Sequence, residues 1–331
     1  MKEKINYIIS DPEGNTTILV LTQVGRKDYQ AVARQLLEEC PQAEQVGFVK
    51  TDETGEPVSM EMCGLEFCGN ATRAFGFYKS MRTDPPADEL FLTVSGCDHP
   101  LKGWIQPPER SGADSEAAGS EDVWVRDADG YICGRVRIQM PVPTEIEEVR
   151  IPAGKEFADL VLRLTGGAVL EGRIVHMDGI SHLVIPGASD KVIREEGQET
   201  IGKLFCYIRD YIYEANERDI PAFGVMFVDN AADWMNPIVY VRDVDTIYFE
   251  GSCASGSAAS ACAQAVIDLA EGKAGEAVQG RDGSAEMYAY RFRQPAGTLC
   301  IDVEARDGAI RGLQLYGGVR QSEVIRSEVN L

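Results

Sequence analysis

Two short stretches place a cysteine among small residues just ahead of what reads as a helix. They are Phe67-Cys68-Gly69-Asn70-Ala71-Thr72-Arg73-Ala74 and Ser252-Cys253-Ala254-Ser255-Gly256-Ser257-Ala258-Ala259. A thiol at that point sits at the positive end of the helix dipole, beside N–H groups with no intrahelical acceptor, and both effects favour the thiolate. The same N–H groups form a receptor for a carboxylate, and Gly69, Ala254 and Gly256 keep bulk away from it. One such turn describes a small buried residue at a helix start equally well. Two of them, one in each half of the chain, point to paired chemistry.

Two opposed thiols over one bound carboxylate fit the inversion of an amino acid at Cα. That proton is weakly acidic. Removing it without a cofactor needs a base on one face, an acid on the other and stabilisation of the enolate-like charge, which helix N-termini aimed at the carboxylate supply. A thiolate and a thiol serve as base and acid and exchange roles with the direction of reaction.

The elements that must hold these turns are mostly short strands, among them Tyr7–Ile9, Thr17–Leu21, Val46–Lys50, Val58–Met62, Leu90–Val94, Arg135–Met140, Leu183–Ile185, Val225–Val228, Ile238–Val241 and Leu299–Val303. Alternation such as Arg135-Val136-Arg137-Ile138 marks half-buried strands. Helical stripes run from Asp28 to Cys40 and from Ile201 to Ile212, and two further helices, Ala71–Ser80 and Ser257–Glu271, follow the cysteine turns. Thr83-Asp84-Pro85-Pro86 stops the first of these, and Gly272 sits where a terminating glycine belongs in the second. Many strands with few helices predict an α+β fold, not a βαβ alternation. The repeated strand–cysteine turn–helix unit predicts two similar domains facing one cleft, with a boundary near Met140-Pro141-Val142-Pro143 and a polar surface excursion over residues 107–130.

Composition narrows the field. The chain has 331 residues, 44% of them hydrophobic, which suits a globular protein of two domains. Its net charge of −21 argues against a nucleic-acid partner, because that affinity needs clustered Lys and Arg. No apolar run reaches the roughly 18 residues of a membrane span, and the first residues carry no signal-peptide pattern. Nine scattered cysteines, an odd number, predict reduced thiols and a cytoplasmic location. Cys63 and Cys68 lack the spacing of a zinc pair and there is no His-Glu-x-x-His, so no metal is expected. Gly251 to Ser257 mimics a phosphate loop without its lysine, and Gly-x-Ser-x-Gly is absent. His182, beside a strand, reads as a packed or rim residue.

The sequence resembles the diaminopimelate epimerase-like superfamily of cofactor-independent amino-acid racemases and epimerases. Cys68-Gly69-Asn70-Ala71-Thr72-Arg73 resembles the first signature, Cys-Gly-Asn-Gly-x-Arg, and Cys253-Ala254-Ser255-Gly256 the second, Cys-Gly-Ser/Thr-Gly. Asn15, within Gly14-Asn15-Thr16, is similar to the asparagine of the N-terminal motif, and Gly297 through Gly318 follows the closing strands. The resemblance implies two pseudo-symmetric α+β domains, each a β-barrel-like sheet around a central helix. The last strand returns to the first domain, giving residues 1–141 plus about 312–331, and residues 142–311. It implies Cys68 and Cys253 as the catalytic pair, with Gly69, Asn70, Ala254, Ser255 and Gly256 holding the carboxylate and Asn15 touching substrate. It implies no pyridoxal phosphate and no metal, an amino-acid substrate, and a homodimer as is common in the family.

Departures from the pattern point away from diaminopimelate itself. Ala71 and Ala254 stand where glycine is usual, the Asn-Pro-His segment reads Ile180-Ser181-His182, and Tyr248-Phe249-Glu250-Gly251-Ser252 leads straight to Cys253. The approaches Leu65-Glu66-Phe67 and Glu250-Gly251-Ser252 are more similar to the histidine-racemase branch linked to opine metallophore synthesis. The expected substrate is therefore a basic or small amino acid, with Glu66 and Glu250 as partners for a cationic side chain or, equally, as solvated carboxylates. The alternatives are a diaminopimelate or hydroxyproline epimerase or an alkene isomerase on the same fold, and, outside catalysis, a thiol redox sensor.

Overall fold

Small residues at the start of two helices let strands pack closely against them. The computed structural model describes residues 2–83, 86–107, 124–215, 218–242, 245–280 and 283–331, which divide into two compact units, 1–140 with 314–331 and 141–313. Among the described residues no helix is long and apolar enough to cross a membrane.

The first unit runs β1 (Lys2–Asp11), β2 (Thr17–Val20), α1 (Tyr29–Glu39), β3 (Gln45–Thr51), β4 (Pro57–Met62), α2 (Gly69–Ser80), β5 (Glu89–Val94), β6 (Leu101–Gln106), β7 (Val125–Arg126) and β8 (Ile132–Met140). The second holds β9 (Glu145–Pro152), α3 (Ala158–Thr165), β10 (Val169–Met177), β11 (Ile180–Pro186), α4 (Asp190–Ala215), β12 (Ala222–Asp229), β13 (Trp234–Val241), β14 (Thr246–Phe249), α5 (Ala254–Ala270), β15 (Glu276–Gly280), β16 (Gly283–Gln294) and β17 (Gly297–Arg306). β18 (Ala309–Gln321) and β19 (Ile325–Asn330) carry the chain back to the first unit, where both pair with β1.

Each unit repeats one topology. In the first, β1–β2 is antiparallel, β2–β3 parallel, β3–β4 antiparallel, β4–β5 parallel and β5–β6 antiparallel. In the second, β10–β11, β11–β12, β12–β13, β13–β16 and β16–β17 follow the same alternation. A parallel pair needs a long crossover. In both units the second crossover carries the cysteine-led helix, α2 or α5.

β2, β4, β5, β6 and β8 pack on α2, and β10, β11, β12, β16 and β17 on α5. Ala71, Ala74 and Gly76 let the strands approach α2, where an added Cβ at Gly76 would stand 3.1 Å from Leu92. α5 reads Ala-Ser-Gly-Ser-Ala-Ala-Ser-Ala-Cys at its start, with the Ala258, Ala259, Ala261 and Cys262 side chains fully buried. Alanine supplies helix propensity without bulk. The outer helices are amphipathic instead: Tyr29, Val32, Ala33 and Leu36 of α1 close the first core, and Ile201, Leu204, Phe205, Ile208 and Ile212 of α4 the second.

Both central helices begin earlier than their hydrophobic stripes predict, at Gly69 and Ala254, because the cysteine itself caps them and the small residues form the first turn. α3 and the first part of α4 lie outside the predicted helices. α3 has only eight residues before Gly166 stops it at φ 75°, and Gly197 (φ 75°, ψ 169°) breaks α4 so that only its second part shows a continuous stripe. Of the stretch read as an excursion, residues 108–123 lie outside the described residues. Its last part is ordered as a hairpin, with Val125 and Arg126 paired to Cys133 and Ile132.

Candidate active site

Within the first unit, Cys68 is the N-cap of α2. Its backbone is extended (φ −133°, ψ 114°) while its carbonyl already accepts from Thr72 N at 2.9 Å. The Thr72 hydroxyl donates to the same carbonyl at 2.7 Å, and Cys68 Sγ accepts from Ala71 N–H at 3.4 Å. Thiolate charge is thereby met by a first-turn N–H. The approach to Cys68 is braced by the turn after β5: Ser95 Oγ donates to Glu66 O and accepts from Met62 N, both at 2.9 Å.

Asn15 reaches the same place from the β1–β2 turn. Glu13, Gly14 and Asn15 form a run of left-handed residues, φ 64°, 90° and 55°, a region asparagine tolerates better than most residues. Asn15 Oδ1 lies 3.9 Å from Cys68 Sγ, and its Nδ2 donates to Glu44 Oε2 at 3.2 Å. Gly69 and Asn70, both buried, form the first turn of α2. Glu66 is exposed, with its carboxylate folded over Gly64, and the neighbouring Cys63 thiol is pushed up by its own burial first and by the Glu66 charge second.

The second unit repeats the cap. Cys253 (φ −118°, ψ 110°) heads α5, its Sγ accepts from Gly256 N–H at 3.3 Å, and the Ser257 hydroxyl donates to its carbonyl at 2.7 Å. Gln294 of β16 closes the turn by accepting from Cys253 N–H at 2.7 Å and donating to Ser257 Oγ at 3.1 Å. Ala254, Ser255 and Gly256 make the first turn of α5. Gly256 leaves room there for Met226, since an added Cβ would fall 2.2 Å from Met226 Sδ and that side chain would have to shift.

Two further groups touch Cys253. Ser255 Oγ lies 3.6 Å from Sγ and 2.9 Å from His182 Nε2. His182 has no exposed surface, burial pushes its pKa down to about 3, and it is therefore neutral. Its Nδ1 has no hydrogen-bond partner among the described residues. A buried lone pair without a partner costs less than a buried N–H without one, so the favoured tautomer donates from Nε2 to Ser255 and leaves the serine proton for the sulfur. Glu250, half-buried, is the second neighbour.

Burial and the charge and hydrogen bond of Glu250 push the Cys253 thiol well up, and they outweigh Ser255 and Gly256, which pull it down. Cys253 is thus a protonated thiol at neutral pH, and its thiolate forms only as pH rises through that elevated value. Iodoacetamide at neutral pH is expected to modify Cys68, which is more exposed, well before the buried Cys253. Peptide mass spectrometry over a pH series reads both rates, and equal rates at neutral pH would contradict the electrostatics described.

The expected residues thus gather as Asn15, Cys68, Gly69 and Asn70 in one unit and Glu250, Cys253, Ala254, Ser255 and Gly256 in the other. His182, Gln294 and Met226 join the second group without having been singled out as site residues. Only His182 carried a signal, a lone histidine opening an apolar strand, and that signal is shared by many core histidines.

The family model described as the histidine racemase CntK N-terminal domain matches residues 4–323. A histidine racemase of Fusobacterium nucleatum subsp. nucleatum is 27% identical over 259 residues, covering 77% of this chain and 79% of that protein. One of Staphylococcus aureus (strain Mu50) is 23% identical over 261 residues, with 78% of each chain covered. Among solved structures, a hydroxyproline epimerase from Agrobacterium vitis, with bound trans-4-hydroxy-L-proline, superposes with a TM-score of 0.55 at 8% identity, covering 98% of this chain and 92% of that one. A probable proline racemase from Agrobacterium radiobacter gives 0.55 at 12% identity, with 99% and 93% covered. The fold is that of the proline racemases and hydroxyproline epimerases, and with a match that spans both units the chain belongs to the histidine racemase CntK N-terminal domain family of amino-acid racemases and epimerases.

Proposed function

We propose that the protein interconverts the L and D forms of a basic amino acid, histidine first, by a two-thiol proton transfer that uses neither pyridoxal phosphate nor a metal. The thiolate of one cysteine takes the Cα proton, the electron pair delocalises into the carboxylate, and the thiol of the other cysteine delivers its proton to the opposite face. The pair ends with its protonation states exchanged, ready for the reverse reaction. The observation that carries this reading is the matched capping of Cys68 and Cys253, each with Sγ accepting from the N–H three residues on. Gly69 and Asn70, with Ala254, Ser255 and Gly256, hold the carboxylate at first-turn N–H groups. Asn15 touches the substrate beside Cys68.

The substrate class rests on the relatives' names and on Glu250. A half-buried carboxylate at the reacting thiol suits an imidazolium or ammonium, whose charge would also relieve the push of Glu250 on Cys253. Glu66 is a second carboxylate available to a cationic side chain.

Incubation of the purified protein with each L-amino acid in D₂O tests the reading. Deuterium is expected at Cα of histidine together with appearance of the D form, without added cofactor and undiminished by a carbonyl reagent that would trap pyridoxal phosphate. Exchange confined to 4-hydroxyproline would move the assignment to that substrate, and exchange with no amino acid would end it.

A further inference from the structure

Arg73, one turn into α2 beyond Cys68, has a side chain with no solvent exposure at all. A guanidinium is always charged and only donates. Its Nη1 lies 3.3 Å from Asn70 Oδ1, its Nη2 donates to Gly318 O at 2.5 Å, and the same Nη2 is 3.9 Å from Glu13 Oε2. The space in which these groups meet exists because two adjacent residues of β18 are glycines. A Cβ at Gly317 would stand 2.2 Å from Glu13 Oε2 and 2.8 Å from Arg73 Nη2, and one at Gly318 would stand 3.1 Å from Glu13 Oε1. Glu13 opens the left-handed run that ends in Asn15, whose Oδ1 is 3.9 Å from Cys68 Sγ. Asn70 must turn its oxygen to a group that only donates, so its NH₂ faces away from Arg73.

We propose that Arg73 and Glu13 are positioning residues for the Cys68 half of the reaction: the buried guanidinium fixes the Asn70 amide so that it presents N–H to the substrate carboxylate, and through Glu13 it holds the turn that sets Asn15 against Cys68. The inference rests on the racemase reading above and assigns work to side chains that touch neither the reacting proton nor the thiol. The charged groups facing Glu13 are Arg73 from α2, Arg135 from β8 and Asp11 from β1, the last itself paired with Arg320 of β18 at 3.0 Å. Burial raises the Glu13 carboxyl above its ordinary value against the pull of Arg73, Gly318 N–H and Arg135. Protonation as pH falls through that raised value removes the counter-charge of Arg73 and releases the turn.

The test uses Glu13→Gln, which keeps the shape and deletes the charge, and Arg73→Lys, which keeps the charge and deletes the fork. Glu13→Gln is expected to lower kcat by roughly 10- to 100-fold, the cost of a displaced reacting group, and to change the alkylation rate of Cys68 but not of Cys253. In the unsubstituted protein log kcat/KM should fall more steeply below the Glu13 titration than thiolate loss alone requires, and Glu13→Gln should lose that extra slope. Arg73→Lys should raise KM about tenfold, because the carboxylate-holding amide is no longer fixed. A merely space-filling role would lower the folded fraction and leave KM, the pH slope and the Cys68 rate per folded molecule unchanged, and that result overturns the proposal. If the unsubstituted protein exchanges no amino acid, the racemase reading has failed. The Cys68 alkylation comparison still decides whether Glu13 positions the turn.

Discussion

Cys68→Ser and Cys253→Ser are each expected to reduce racemisation by roughly 10²- to 10⁴-fold, the range a positioned acid or base contributes, while leaving the protein folded. Serine is among the best N-cap residues, so its hydroxyl can accept from Ala71 N–H or Gly256 N–H as sulfur does in the parent. The first-turn N–H groups that receive the carboxylate also remain. Only the acidity of the capping group changes, and a hydroxyl at that position does not ionise near neutral pH. Inversion needs one proton taken from one face and another returned to the opposite face, so loss of either thiol stops the same overall reaction. Circular dichroism of the D/L ratio measures the rate, and thermal unfolding provides the control for fold. A variant that folds and keeps near-normal racemisation would remove its cysteine from the mechanism.

Gly96→Ala is expected to be the most disruptive of the small substitutions, destabilising the protein by about 2–5 kcal/mol. Gly96 has φ 72°, a conformation costing an L-residue about 1–2 kcal/mol. An added Cβ would also lie 2.2 Å from Phe67 N and 2.8 Å from Glu66 C. These are backbone atoms that no rotamer change can move aside, and overpacking of this kind costs about 1–3 kcal/mol more. Gly55→Ala isolates the conformational effect, since Gly55 has φ 88° with nothing within 4 Å of its added Cβ. It should lose only the conformational part, about 1–2 kcal/mol. Denaturant midpoints of the two variants read the difference. Equal losses would mean that the Ser95–Gly96 turn does not bear on the approach to Cys68. Because Phe67 leads directly into that cap, activity per folded molecule should fall for Gly96→Ala and hold for Gly55→Ala.

Much of the fold was legible along the chain. Short β-rich runs, several of them alternating, marked most strands, stripes marked α1 and the second part of α4, and the repeated cysteine turn anticipated the repeated topology of β1–β6 and of β10–β13 with β16 and β17. α3 escaped because eight residues carry too little periodicity, and the break at Gly197 hid the first part of α4. The half-sites were legible to the extent that they are local. Cys68 and Cys253 each meet an N–H only three residues away.

The sequence by itself determined the capped thiols, because a helix N-cap is written in the spacing of a few consecutive residues and needs no distant partner. Tertiary structure alone decided what surrounds each thiol. His182 meets Ser255 across 73 residues of chain, Gln294 meets Cys253 across 41, and Arg73 meets Gly318 across 245. None of these pairs shares a period or a motif. They arise when strands from distant parts of the chain close around a central helix. There burial makes His182 neutral and keeps Cys253 protonated, while at Glu13 it works against the pull of a guanidinium that water does not reach.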